Sequence, residues 1–445
     1  MSIIQLFHRH HAIALGSLAS GFARVVFAVT MLITTGIVTR YFSKEEFGLW
    51  AILLSFIYLG FAFDFGYRSA LTNRLAAMVA DSSGQTRNSQ RDFFLSILYL
   101  QIGIGLAGAF FFAAFGNAIP WAILLKVNQP EIAEHINRLI TLVFFILFIN
   151  MPLLAGSSAF VAFQEVHLNA LLEAAQWIIL LFVFCFCALV EHLSFYYVVY
   201  YYFVAYLLIW FIRTILVFHR RGWCLAWVPL PVQAWNVKAI SSVSMDFFLL
   251  NISALVVSTG GTFLAGLVGG LADAGDFNLI QRLFGLLITM HMALMASFGP
   301  AFTQGASLGN WEGVRRKLNF CLYIIVPLLF LGIGGLILAF HPIILKLWTG
   351  FVLTDYTLAG LFALFAFLAG WGNTNSILLN SLGLVKSQAI WSFVVAPIFL
   401  FLTFYFGKTF SVKGIALAGV LCTIPGMIFF TYYTRRAIKR RSLNI

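Results

Sequence analysis

The chain has 445 residues, of which 62% are hydrophobic and only 9% are charged. A soluble domain is about half apolar and about a quarter charged, so this composition excludes a water-soluble enzyme or binding module and indicates an integral membrane protein. The net charge of +12 would suggest a nucleic acid partner in a soluble protein. Here the basic residues lie mostly at the ends of apolar runs, where they set membrane topology, so we expect no nucleic acid partner.

Twelve apolar segments are long enough to cross a bilayer as helices, which takes about 20 residues. Their approximate spans are 12–40, 47–67, 92–116, 138–162, 168–189, 193–217, 238–259, 276–302, 315–340, 355–380, 387–407 and 413–434. These runs are too long and too uniformly apolar for the strands of a β-barrel, which have about ten residues of alternating polarity. The expected fold class is therefore an all-α polytopic membrane protein.

The distribution of Lys and Arg predicts the orientation of the chain. The first apolar segment runs to about Val38, which is too long for a cleaved signal peptide, so we read it as a retained helix. With a cytoplasmic N-terminus, 18 of the 27 basic residues, Arg213 among them, fall at cytoplasmic ends and loops, and 7 fall on the opposite side. This bias predicts that both termini are cytoplasmic.

A short motif occurs twice, as EFGL at 46–49 and DFNL at 276–279. Acidic side chains are stabilised at the N-terminus of a helix by the helix dipole. We therefore expect Glu46 to open the second helix and Asp276 to open the eighth, each after a tight turn.

A second pair of similar stretches, residues 162–172 and 381–391, is separated along the chain by nearly the same number of residues as the two copies of the motif. Internal repeats of this kind are common in transporters. The two pairs of similar stretches predict two six-helix lobes that cross the membrane in the same direction. The N-terminal lobe would comprise residues 1–220 and the C-terminal lobe residues 221–445.

The stretch 39–77 resembles the opening of O-antigen and polysaccharide flippases of the multidrug/oligosaccharidyl-lipid/polysaccharide exporter (MOP) superfamily, and 272–290 resembles it more weakly. In that family the hairpin is followed by a helix that ends D-x-G-x-x-x-A-L-x-R. The matching residues here are Asp64, Gly66, Ala70 and Leu71, followed by Arg74, which stands one residue beyond the Arg of the pattern. One departure is the stretch 256–264, which lacks the acid that many relatives carry near the end of the seventh helix and to which an ion-coupling role is attached in those relatives.

The resemblance implies a transporter rather than an enzyme, without a cofactor. Its two lobes would alternate between inward-open and outward-open states around a cationic central cavity. The substrate would be a polyprenyl-diphosphate-linked glycan, moved across the inner membrane of a bacterium. Further expected partners are membrane lipid and glycan polymerase machinery.

Two arginines inside helices are the first candidates for binding the substrate. An Arg at the bilayer centre costs about 2.5–3.5 kcal/mol on insertion scales, so Arg24 is expected to face protein or a water-filled cavity. The planar guanidinium group of Arg24 suits the oxygens of a diphosphate. A structural ion pair with Asp246 is the alternative. Arg282, predicted about two turns (roughly 9 Å) into the eighth helix, would line the cavity or snorkel to the outer face.

Asp64 and Arg68 are four residues apart and are expected to share a helix face, with Arg74 beyond them. They would form a cytoplasmic gate, or an interfacial ion pair that fixes the helix. Asn373 and Asn375 lie in the most amide-rich predicted helix, where they would bind sugar hydroxyls or hold helices together.

Asp246, Glu173 and His291 are candidates for ion coupling, because intramembrane acids and histidines are the usual proton-relay groups. The alternative is an interhelical hydrogen-bonding role for each. The five cysteines show neither a disulfide pattern nor a metal-ligand spacing, so we predict no metal site.

Two other functions remain open at this point. A multidrug exporter of the same superfamily would carry cationic amphiphiles, which an Arg-containing cavity disfavours. A membrane glycan polymerase or ligase generally needs a sizeable external loop with catalytic residues, and the sequence contains no such loop.

Overall fold

The computed structural model describes residues 3–60, 63–80, 87–187, 194–295, 298–384 and 386–442, except for some side chains within them, including those of residues 3–14 and of Asp246. This part of the chain is almost entirely helical and contains no strand. Its α-helices are α1 (Ile3–Tyr41), α2 (Lys44–Gly60), α3 (Tyr67–Ala80), α4 (Arg87–Phe115), α5 (Trp121–Leu124), α6 (Pro130–Asn150), α7 (Ala155–Ala162), α8 (Val166–Cys185), α9 (Phe195–Arg221), α10 (Leu230–Ser258), α11 (Gly260–Gly269), α12 (Leu271–Met295), α13 (Phe298–Ser307), α14 (Trp311–Phe320), α15 (Gly334–Thr349), α16 (Tyr356–Ser381), α17 (Lys386–Phe410) and α18 (Val412–Ser442). Short 3-10 helices occupy Gly116–Ala118 and Met151–Leu154, and π-helical segments occupy Cys321–Ile325 and Leu328–Ile333.

Ten helical runs in the described residues are long and apolar enough to cross a membrane, and each overlaps one of the predicted segments. The predicted second and seventh segments correspond to α2, which has 17 residues, and to α10, which has 29. The expected fold class of an all-α polytopic membrane protein is confirmed. The number of twelve crossings stays a prediction.

The predicted second segment, 47–67, is wrong as a continuous helix. The chain leaves α2 at Gly60 and starts α3 at Tyr67. Between them Phe65 and Gly66 take left-handed backbone angles, with φ of 50° and 75°. Two successive residues in this conformation cannot continue a right-handed helix, so they separate α2 from α3.

The two repeated motifs enter their helices differently. Ser43 and Glu46 form a capping box at the start of α2: the Ser43 N–H donates to Oε2 of Glu46 at 2.7 Å, and the Glu46 N–H donates to Oγ of Ser43 at 3.2 Å. The same expectation for Asp276 is wrong. Helix α12 already begins at Leu271, after Gly270 with φ of 95°, so Asp276 lies inside the helix.

Contacts between Cα atoms divide the chain into two compact units. Unit 1 comprises Met1–Phe42 and Leu53–Leu255, and unit 2 comprises Ser43–Ile52 and Val256–Ile445. The predicted lobes, 1–220 and 221–445, stay a prediction.

Small side chains bring α1 onto α8 in unit 1. Ala23 packs with Ala170 and Ala174 in a buried cluster, joined by Ala19 and Val26. Alanines let two helix backbones approach closely, which is how helices associate in a membrane where apolar burial drives little. This contact fixes the wall of helices from which the candidate site is built.

The turn between α7 and α8 is tied to the end of α9. Glu165 lies in this turn and accepts a hydrogen bond from Nη2 of Arg220 at 3.1 Å. Arg221 lies over the ring of Phe163, 3.8 Å from its centroid. These contacts hold α8 beside α9, so that facing side chains of the two helices meet.

Candidate functional site

A cavity of about 270 Å³ lies inside unit 1. Two helical stripes supply most of its wall. Asn169, Glu173 and Gln176 follow one face of α8 at intervals of three and four residues, and Tyr206, Trp210 and Arg213 follow one face of α9 in the same way. The lining residues are Phe27, Ile57, Tyr58, Arg68, Ser157, Asn169, Glu173, Gln176, Trp177, Tyr206, Trp210 and Arg213.

Arg213 is the central cation of this cavity. Its side chain is only 3% exposed. Nη2 donates to the backbone carbonyl of Asn169 at 2.7 Å and to its Oδ1 at 3.2 Å, and Nη1 donates to Oε1 of Gln176 at 3.5 Å. The guanidinium lies 4.5 Å from the centroid of Trp210. Neutral groups therefore hold the charge in place.

The positive charge of Arg213 is not neutralised by a salt bridge within the described residues. Glu173 lines the same cavity and acts on Arg213 electrostatically, but without direct contact. Nε of Arg213 is buried and has no hydrogen-bond partner among those residues. Since a buried donor without a partner is costly, this atom points to a ligand that would accept its hydrogen bond.

The sequence assigns Arg213 to a cytoplasmic helix end, but the structure places it deeper in α9. It lies eight residues before the end of α9, about 12 Å along the helix. The topology rule treats any Arg near the end of an apolar run as a boundary residue. The available signal was the spacing of Tyr206, Trp210 and Arg213, which places an arginine on the same helix face as two aromatic side chains.

Arg68 brings a second cation to the cavity, and the family motif explains its position. Asp64 is buried and accepts hydrogen bonds from the N–H of Gly66 at 2.8 Å and of Arg68 at 3.3 Å, which caps the first turn of α3. The expected pair of Asp64 and Arg68 is present, with 3.9 Å between Oδ2 and Nε.

Gly66 also has no room for a side chain, because a Cβ there would lie 2.1 Å from the carbonyl oxygen of Ser244 in α10. Ala70 and Leu71 are buried in the core of unit 1, whereas Arg74 is exposed. Most of the motif therefore shapes the break between α2 and α3, and this break turns Arg68 toward the cavity.

Aromatic rings form the apolar wall of the cavity. Phe27 of α1 packs on Trp177 of α8, with ring centroids 4.7 Å apart, and Tyr206 meets Trp210 edge to face at 6.3 Å. Small-molecule sites are usually lined in this way, by aromatic groups with a few polar atoms that fix orientation.

The first predicted cation, Arg24, is exposed on α1, next to the buried Ala23. It forms no hydrogen bond or ion pair with any described residue. The side chain of Asp246, its alternative partner, lies outside the described part of the chain. Arg24 is not among the residues that line the cavity, although Phe27, one turn along α1, is.

The remaining candidates lie in unit 2. His291 is fully buried in α12, with Nε2 3.0 Å from Oγ1 of Thr374. Asn375 donates to the carbonyl of Trp371 at 3.0 Å and to Oγ1 of Thr431 at 3.4 Å, which links α16 to α18. The structure therefore brings His291 of α12 against Thr374 of α16, next to Asn375 in the sequence, and neither His291 nor Asn375 lines the cavity of unit 1.

Arg282 and Asn373 are half-buried. Because α12 begins at Leu271, Arg282 lies about 16 Å from the start of the helix, deeper than the predicted two turns. Their roles, like those of the other predicted site residues, stay predictions.

Solved transporter structures share this fold. An inward-facing multidrug resistance MATE family transporter of the MOP superfamily matches with a TM-score of 0.72 at 12% identity, covering 95% of this chain and 98% of that chain. A MOP superfamily transporter from Pyrococcus furiosus matches with a TM-score of 0.62 at 12% identity, covering 97% and 96%. An outward-facing MATE family transporter matches with a TM-score of 0.57 at 15% identity, covering 96% and 97%.

The chain thus has the fold of a MOP-superfamily transporter, and it is a multi-pass membrane protein. No curated protein matches the chain. Residues 16–306, more than half of its length, match the family described as "Polysaccharide biosynthesis protein". The chain belongs to this family, and the resemblance predicted from residues 39–77 is confirmed.

Proposed function

We propose that this protein is a flippase that carries a polyprenyl-diphosphate-linked oligosaccharide, such as a repeat unit of O-antigen or another surface polysaccharide. It would move this substrate by alternating access from the cytoplasmic to the outer leaflet of a bacterial inner membrane, with both termini cytoplasmic. Membership of the polysaccharide biosynthesis family and the transporter fold support this function. The observation that carries it is Arg213, a buried cation with an unsatisfied donor in an aromatic cavity.

The charge of the cavity favours an anionic substrate. Among the lining residues, Arg68 and Arg213 outnumber the one carboxylate, Glu173. Asp64, which pairs with Arg68 at 3.9 Å, is not one of them, so the groups that face the cavity carry a positive surplus. Guanidinium groups match the geometry of phosphate oxygens and bind them through charge-assisted hydrogen bonds. The same surplus disfavours the cationic amphiphiles that a multidrug exporter would carry.

The cavity would hold only part of the substrate. Its volume of about 270 Å³ falls just below the range of roughly 300–1,000 Å³ that is usual for small-molecule sites. Asn169, Gln176 and Ser157 offer amide and hydroxyl groups beside the two arginines. We assign the diphosphate or an acidic sugar to the arginines and sugar hydroxyls to these neutral groups.

The other predicted residues enter the proposal in their original roles. Arg24 and Arg282 would serve as further cations for the substrate, and Asp246, Glu173 and His291 would couple transport to an ion. Downstream, glycan polymerase machinery would receive the flipped repeat unit.

The test replaces Arg213 by Ala and by Lys in a strain that lacks the chromosomal gene. We expect Arg213→Ala to abolish export of surface glycan, with lipid-linked repeat units accumulating in the cytoplasmic leaflet. Arg213→Lys, which keeps the charge but loses the planar fork, should restore export only in part. Arg316→Ala, which removes an exposed arginine of α14, is the control. Normal export by Arg213→Ala at wild-type expression would overturn the proposal.

A further inference from the structure

Two basic stretches, 315–317 and 435–441, lie close together in unit 2. The topology rule explains them only as charges at helix ends. Helix α14 packs against the last turns of α18, where Val314 and Leu318 share a buried cluster with Ile438. The two stretches are 120 residues apart in the sequence. Their meeting is a feature that charge counting does not predict.

An open crevice of about 670 Å³ lies between these two helices. On α18 its wall follows a single helix face, since Ile438, Lys439 and Ser442 follow Arg435 by three, four and seven residues. The full lining is Trp311, Glu312, Arg315, Leu318, Asn319, Tyr323, Arg435, Ile438, Lys439 and Ser442.

The crevice carries a surplus of positive charge. Arg315, Arg435 and Lys439 line it, and Glu312 is the one carboxylate in its described lining. That carboxylate is already bound by Arg315 at 2.9 Å and by Arg316 at 3.0 Å. Nη2 of Arg435 donates to the hydroxyl of Tyr323, which orients this guanidinium at the crevice wall.

Exposed apolar surface continues from the crevice along both helices into their membrane-spanning parts. Tyr323, Ile324 and Leu328 are between 51% and 69% exposed beyond α14, and Ile428 and Tyr432 are 60% and 62% exposed on α18. A ligand that fits this arrangement has a negative group for the crevice and a long apolar part for the two helix surfaces.

We propose that this crevice binds the phosphate head group of an anionic membrane phospholipid, with its acyl chains on the apolar surface described above. Basic residues at the membrane surface attract anionic head groups, and pockets lined by several of them bind such lipids selectively. The predicted orientation places the crevice on the cytoplasmic side, where the flanking basic residues accumulate. The site is separate from the cavity around Arg213 and does not depend on the identity of the transported substrate.

The test measures lipid retained by the intact, purified protein in native mass spectrometry during titration with phosphatidylglycerol or phosphatidylcholine. We expect wild-type protein to retain phosphatidylglycerol selectively. The double variant Arg435→Ala/Lys439→Ala should bind it about 30-fold more weakly, because two cations are lost near the head group. The double variant Arg435→Lys/Lys439→Arg should bind nearly as the wild type does, since it keeps both charges.

The matched control is Arg436→Ala/Arg440→Ala, which removes two exposed charges from α18 outside the crevice. It should retain phosphatidylglycerol as the wild type does. Equal weakening in both alanine pairs would show general surface attraction and would overturn the proposal, as would unchanged binding in both. Displacement of phosphatidylglycerol by millimolar inorganic phosphate would assign the crevice to free phosphate and would also overturn it.

Discussion

Nζ of Lys44 contacts Oδ2 of Asp276 at 2.7 Å, and this ion pair joins the two sequence motifs that resemble each other. Both residues belong to unit 2, because the first turns of α2 are part of that unit. Beside the pair, Gly48 approaches the carbonyl of Leu271, and Phe47 packs near Gly275. The repeated motifs are therefore the two halves of one helix–helix contact, which explains why small and charged residues recur in both.

Substituting Gly48 tests this contact. A Cβ at Gly48 would lie 1.8 Å from the carbonyl oxygen of Leu271, which is backbone and cannot rotate away. Overpacking of this kind costs typically 1–3 kcal/mol, so Gly48→Ala should clearly lower the thermal unfolding temperature of the purified protein. Gly21→Ala is the control, since nothing lies within 4 Å of a Cβ there. Equal unfolding temperatures for the two variants would contradict the contact.

The ion pair itself is testable by a double-mutant cycle. Asp276 is less exposed than Lys44, at 20% against 43%, and its Oδ1 is buried without a hydrogen-bond partner among the described residues. Lys44→Ala leaves this carboxylate unpaired, so it should destabilise more than Lys44→Ala/Asp276→Ala. We expect a coupling free energy of about 1 kcal/mol in chemical denaturation. Additive effects would show that the pair contributes nothing.

The role of Gly66 in the break before α3 can be tested by comparing its substitution with that of Gly309, a glycine between α13 and α14. Both have left-handed backbone angles, with φ of 75° and 68°, but only Gly66 lies against a neighbour. Gly309→Ala should cost about 1 kcal/mol, the strain of a left-handed alanine. Gly66→Ala adds the overlap with Ser244, displaces Arg68 and should reduce both stability and glycan export. Normal export by Gly66→Ala would show that the break does not position Arg68.

A variant that separates function from stability is Arg213→Met. Replacing a buried charge by an apolar side chain of similar length is often neutral or stabilising. We expect the thermal unfolding temperature to stay the same or rise while glycan export is lost. A marked fall in unfolding temperature would identify Arg213 as a structural residue.

Asp355 predicts an acid-dependent loss of stability. It accepts from the N–H of Leu358 at 3.1 Å at the start of α16 and pairs with Lys413 at 3.0 Å. Burial acts to raise the pKa of Asp355, but the Leu358 N–H and the Lys413 ammonium outweigh it, so the pKa is lowered from its ordinary value of 3.8. A carboxyl with a lowered pKa stabilises the fold above the unfolded-state pKa, and this contribution is lost as the pH falls below it.

Asp355→Ala should therefore lower stability at neutral pH, by about 1 kcal/mol for the lost helix cap. The difference between variant and wild type should shrink when denaturation is repeated at pH 3. A difference that stays constant between pH 7 and pH 3 would contradict the role of the ionised carboxyl.

The helices were largely predictable because an apolar run of sufficient length has few alternatives in a membrane. The ends of α2 and α12 were not. The left-handed turn at Gly66 depends on the approach of Ser244, far away in the sequence. Helix α12 begins at Leu271, directly after Gly270 with its positive φ. An isolated sequence window contains neither constraint.

The candidate cavity was only partly predictable. The sequence marks Glu173 as a charge inside an apolar segment and Arg68 as the partner of Asp64 at a helix end, and both line the cavity. Arg213 was missed because its distance from the helix end depends on where α9 stops. Its amide partners, Asn169 and Gln176, could not be recognised from the sequence, because they meet Arg213 only when α8 packs beside α9. Long-range pairing of helices, and not composition, creates this site.

The order of α8 and α9 in the chain has a consequence for the biogenesis of the protein. Arg213 is unfavourable in lipid, and its partners Asn169 and Gln176 are on the preceding helix, so they are synthesised first. We expect α8 to be in the membrane already when α9 leaves the ribosome. Arg213 can then contact its partners on α8 as α9 inserts, without being exposed to lipid. A ribosome-bound chain that ends after α9 should then integrate both helices, whereas α9 fused alone to a reporter should insert poorly.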